Sequence, residues 1–84
     1  MDKIALENKE YEIVILGNKK FYLFGEKYKI YKVIRERKAI KLSQLRKLID
    51  VRYNTIRGAL ITLTHDGLIV RIERGNYRLT ETKQ

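Results

Sequence analysis

From Tyr11 to Gly25 the chain reads YEIVILGNKKFYLFG, two runs dense in β-branched and aromatic residues on either side of GNKK. That pattern predicts a β-hairpin over residues 11–25. A two-residue Gly17-Asn18 turn of type I′ or II′ suits it, because glycine accepts positive φ and asparagine tolerates it; a four-residue loop is the alternative. Ile13, Ile15, Phe21 and Leu23 alternate with Val14, Leu16, Tyr22 and Phe24, so both faces are apolar. One face can pack on the rest of the domain, and the other needs a second partner.

After Gly25 the period switches from 2 to 3.6. EKYKIYKVIRERK sets Ile30, Val33, Ile34 and Arg37 along one stripe and predicts a helix over 26–37, with Tyr28 and Tyr31 at the core edge. AIKL offers a very short strand over 40–42. Ser43 then caps QLRKLI, a two-turn helix with Leu45, Leu48 and Ile49 inward. DVRYN breaks that helix, and Tyr53 or Asn54 opens the next. This last helix carries Ile56, Ala59, Leu60 and Leu63 at i, i+3, i+4, i+7 and stops at Gly67 in the C′ position. In LIVRIER, Leu68, Val70 and Ile72 alternate against Ile69 and Arg71; Gly75-Asn76 turns the chain, and YRLT returns as the final strand. Residues 1–10 read as a lead-in arm and 81–84 as a tail.

Composition narrows the class. Eighty-four residues make one small domain, and the absence of cysteine excludes a disulfide scaffold or thiolate metal site. No apolar run is long enough to span a membrane, so a cytoplasmic protein, or one of the host cytoplasm if viral, is the expectation. The cysteine-free, Ile/Lys/Arg-rich composition is similar to that of small proteins from hyperthermophilic archaea or their viruses. Net charge is +9, and its distribution is uneven. Residues 1–25 hold four Lys against four acids; the other 15 of 19 Lys and Arg, with only 6 of 10 acids, lie in 26–84. An excess of cations on one part of a chain points to a polyanion, most often nucleic acid.

The helix face between Asn54 and Thr64 carries Arg57, Gly58 and Thr62 and lacks the Glu/Lys pairs of an ordinary solvated helix. NTIRGALITLTHDGLIVRIERGNYRLT carries further spaced features: Thr55-Ile56, Ala59-Leu60, Leu63, Asp66-Gly67-Leu68-Ile69, Arg71, Arg74-Gly75 and Tyr77-Arg78-Leu79. Together with the order helix, short strand, helix, helix, strand, basic turn, strand, this resembles the winged helix-turn-helix of transcriptional regulators, the MarR-like and ArsR-like families included. The resemblance covers about residues 26–80. It implies an α+β winged helix-turn-helix of three helices and a β-wing, with the recognition helix at about 53–66 and the wing at 71–78.

Chemistry gives these residues roles in sequence-specific binding of double-stranded DNA. A recognition helix needs small side chains on its outer face and one or two long donors. Arg57 can bond guanine bidentately and Asn54 adenine, with Thr55, Gly58 and Thr62 alongside. Gly58 allows close approach either of DNA or of a neighbouring helix. Arg52 and Tyr53 suit phosphates. In the wing, Arg71, Arg74 and Arg78 flank a Gly75-Asn76 tip on the backbone or in the minor groove. Lys41, Ser43, Arg46 and Lys47 form a phosphate clamp at the preceding helix.

One His, one Ser, no Cys and no nucleophile–base spacing argue against an enzyme. His65 reads as a structural residue near a helix C-terminus. No metal, cofactor, small-molecule ligand or membrane is expected. A homodimer through the apolar hairpin is expected, and Ile61, exposed on the outer helix face, calls for cover by the hairpin or a second subunit. The alternative to a DNA-binding regulator is a winged helix serving protein–protein or RNA-associated assembly.

Overall fold

A computed structural model describes residues 11–80; the arm at 1–10 and the tail at 81–84 lie outside the described residues. Within them are three helices and two antiparallel sheets, a small α+β domain. Tyr11–Leu16 (β1) and Lys19–Phe24 (β2) form the first sheet. Leu16 pairs with Lys19, so the turn has two residues, and only Gly17 takes positive φ, at 63°. That selects the II′ pattern, with glycine at the first central position.

The register regroups the hairpin faces. Ile13 faces Tyr22, Ile15 faces Lys20 and Val14 faces Phe21. Cross-strand partners share a face, so Ile13 and Ile15 join Tyr22 and Phe24, whereas Phe21 and Leu23 join Val14 and Leu16. The second set packs inward, with Leu23 fully buried; the first set is exposed. Glu12, opposite Leu23, ion-pairs with Arg35 and ties β1 to the helix beneath.

That helix, Gly25–Arg37 (α1), buries Tyr28, Ile30, Tyr31 and Ile34. Val33 is half-buried, while Arg37, set on the same stripe by periodicity, is exposed. Burial raises the Tyr31 phenol above its ordinary range; the Glu12 carboxylate adds to the rise and the Arg35 guanidinium opposes it. The helix ends at Lys38, whose φ of 68° is a conformation that favours glycine. Two backbone bonds hold it there: Lys38 N–H donates to the Ile34 carbonyl, and the Lys38 carbonyl accepts from Leu79.

Ala39–Lys41 (β3) leads directly into Leu42–Leu48 (α2). Helix α2 therefore starts before Ser43, which lies exposed in its first turn and is not the cap. Lys41 occupies the cap position, and the Gln44 Oε1 accepts its backbone N–H at 3.3 Å. Lysine has no acceptor to return that bond. Leu45 and Ile49 are buried, but Leu48 is 49% exposed, against expectation. At about 100° per residue, Leu42, Leu45 and Ile49 share a narrow stripe that excludes Leu48.

Tyr53–His65 (α3) buries Ile56, Ala59, Leu60 and Leu63, the four residues its periodicity marks. Its end is a Schellman motif: Gly67 at φ 85°, Gly67 N–H to the Thr64 carbonyl and Leu68 N–H to the Leu63 carbonyl. Lys27 and Asp66 approach to 3.8 Å, linking the start of α1 to this end. Ile69–Glu73 (β4) and Asn76–Leu79 (β5) complete a sheet of order β3-β5-β4. The register slips between Arg71 and Glu73, leaving Ile72 bulged out. Leu68 and Ile69 are buried while Val70 and Ile72 are exposed, so within β4 the alternating pair Val70 and Ile72 lies on the outer face. The core is one cluster contributed by every helix and both sheets, with no buried polar residue among those described.

Candidate nucleic-acid interface

Helices α2 and α3 are joined by the four residues 49–52. Asp50 is the only acid between Arg37 and His65, and α3 has none in its thirteen residues. Arg46, Lys47, Arg52 and Arg57 are all exposed on this pair. Two of the candidate residues are brought together: the Arg46 guanidinium carbon lies 4.6 Å from the centroid of the Tyr53 ring. Such a contact contributes about 0.5–1 kcal/mol at an exposed site. It also fixes one cation at the N-terminus of α3, where free N–H groups already favour an anion.

The outer surface of α3 has a crest and two flanks. Given the buried stripe, Asn54, Ile61 and His65 run along the crest. Towards the β4–β5 hairpin, Leu60, Ile61, Thr64 and His65 line a shallow depression with Arg71 and Tyr77. On the opposite flank, Thr55, Gly58, Ala59 and Thr62 form the floor of an open groove of about 580 Å³ walled by Tyr22, Phe24 and Lys27. A Cβ added at Gly58 meets nothing within 4 Å, so helix packing does not require glycine there. The Thr62 hydroxyl donates to the Gly58 carbonyl at 3.0 Å, which commits its proton to the helix itself. Among the described residues, no hydrogen bond or ion pair occupies the Arg57 side chain. Ile61 is 62% exposed and is not covered by the hairpin.

The β4–β5 residues divide in a way their spacing does not reveal. The turn is Arg74–Gly75, and Asn76 belongs to β5, opposite Lys41 and Glu73, so Gly75-Asn76 is not the tip. The Asn76 amide donates to the Glu73 carboxylate at 2.7 Å. Gly75 accepts from the Leu42 N–H at 2.7 Å, which holds the turn against the start of α2. Lys41, Ser43, Arg74, Gly75 and Asn76 therefore form one neighbourhood, and the hairpin projects little beyond it. Arg71 pairs with Tyr77 on the side of α3; Arg78 pairs with Val70 and Ala39 on the opposite face of the sheet. One strand's arginine is thus beside α3 and the other's is not.

Comparison with models of known protein families, with curated proteins and with solved structures gives no match. Among the described residues no helix is long and apolar enough to cross a membrane, and no group of three or more His, Cys, Asp or Glu gathers to hold a metal ion. Tyr22 and Phe24 beside α3 were not among the candidates from sequence. Their signal lay in the turn length, which fixes the face they occupy.

Proposed function

We propose that this chain is a winged helix-turn-helix protein that binds double-stranded DNA sequence-specifically, as a transcriptional regulator does, with α3 in the major groove. The element order and the sheet order β3-β5-β4 support that architecture. The observation that carries the function is α3 itself, a thirteen-residue exposed helix with no carboxylate, one unoccupied arginine and cations at its N-terminus. An ordinary solvated helix alternates charges, whereas a helix approaching phosphates is repelled by every carboxylate it carries.

In this arrangement Arg57 and Asn54 reach base edges, where arginine matches guanine and asparagine matches adenine. The open space over Gly58 lets the helix settle deeply. Arg52 and the Arg46–Tyr53 stack face one phosphate strand. Lys41, Ser43 and Arg74 meet the backbone from the hairpin side, with Lys47 on the outer face of α2. Because the Arg74–Gly75 turn is held back against α2, phosphate contact suits it better than entry into the minor groove. Arg78, across the sheet, stands apart from this surface.

One observation favours a second reading, a winged helix used for protein or RNA-associated assembly: Ile61 sits on the crest of α3, and base edges offer it only thymine methyls. Selection from a random duplex pool separates the two. An enriched motif of a few base pairs supports DNA readout; a pool that binds without enrichment, or does not bind, overturns it.

A further inference from the structure

We infer that the outer face of the β1–β2 hairpin packs against the same face of a second copy of this chain. The face is a ladder of cross-strand pairs, Tyr11 with Phe24, Ile13 with Tyr22 and Ile15 with Lys20, in which five of six side chains are apolar and exposed. Ile15 and Phe24 are each 67% exposed, although the hairpin's other face is packed. Five half-exposed side chains of this size present on the order of 500 Å², a contiguous patch of the size that marks an interaction site when it occurs on a small domain. Two such faces together bury about 1,000 Å², the lower bound of a specific interface.

For a second copy, charge selects this face. The chain carries +9, so copies repel one another over most of their surface. Among the described residues Lys20 is the sole charge on this face, because Glu12 points inward to Arg35. It is the surface over which two like-charged copies approach at least electrostatic cost. A two-fold interface needs one self-complementary patch, which an antiparallel ribbon of matched apolar pairs provides.

The inference does not depend on DNA binding, and its test is separate. Sedimentation equilibrium of the full chain at tens of micromolar, without nucleic acid, is expected to show a dimer. Ile15→Lys and Phe24→Lys alter the two most exposed positions and so disturb the monomer least. Each is expected to weaken the dimer at least tenfold while leaving the far-ultraviolet circular dichroism unchanged. Ile72→Lys, on the other sheet, is expected to leave the dimer intact. A wild-type monomer at these concentrations overturns the inference. So does a dimer that survives both hairpin variants or dissolves with Ile72→Lys. Should either hairpin variant fail to fold, a wild-type melting temperature independent of protein concentration overturns it equally.

Discussion

The two hairpins of this small domain are built alike and end up unlike. Both turn on two residues with a glycine at positive φ, Gly17 in one and Gly75 in the other. Both lay one face on the same core. In β1–β2 the outward face is apolar, with one lysine, and the strands pair without interruption. In β4–β5 a bulge at Ile72 interrupts the ladder, and the surroundings of the turn are charged: Glu73, Arg74 and, across the sheet, Lys41. Local turn chemistry therefore explains that a hairpin forms and says little about its use. The exposed side chains of the face and around the turn decide that, and α3 runs between the two hairpins.

The comparison breaks first if the N-terminal hairpin is only an appendage. Leu23 is its fully buried residue and belongs to the single core cluster. Leu23→Ala is expected to cost roughly 2–5 kcal/mol of global stability, read as a single cooperative urea transition. Loss of the hairpin signal alone, with the helical transition unmoved, would show that β1–β2 folds on its own account.

On the charged side, Arg57 and Arg74 separate readout from attachment. Arg57→Ala is expected to lower discrimination between specific and random duplexes by roughly 1–3 kcal/mol, whereas Arg74→Ala weakens both alike. Equal losses on both duplexes for both variants refute that division.

Gly58 sharpens the contrast further. Because an added Cβ finds open space, Gly58→Ala is expected to stabilise the free protein by about 1 kcal/mol through helix propensity. If α3 enters a groove, the same methyl weakens duplex binding. A variant that is more stable and binds undiminished leaves the glycine without a role at the interface.

How much of this was legible beforehand varies with the kind of evidence each position offers. The buried stripe of α3 and its glycine stop were legible because four apolar residues at helical spacing leave one orientation, and because Gly67 has a single role at a helix end. The hairpin's existence was clear but its faces were not. Both alternating sets are apolar, so only the turn length decides, and a one-residue slip in register exchanges faces. Leu48 was set inward on hydrophobicity alone, and a short helix turns it out; the alternation in β4 did not say which set faces the core, and Val70 and Ile72 lie outside. Ser43 looked like a cap because its residue type favours one, yet β3 runs straight into α2 and places Lys41 there. Among the candidate contacts, the cations could be named one by one. Their grouping could not: the Arg46–Tyr53 stack, the Leu42–Gly75 bond and the placing of Arg78 across the sheet are tertiary facts.

The most direct test of the account is the salt dependence of duplex binding, measured by fluorescence anisotropy between 50 and 200 mM monovalent salt. If Lys41, Arg46, Lys47, Arg52, Arg74 and their neighbours engage ~6 or more phosphates, affinity falls on the order of a thousandfold across that range. Duplex binding that is absent at 50 mM salt, or indifferent to salt, contradicts it.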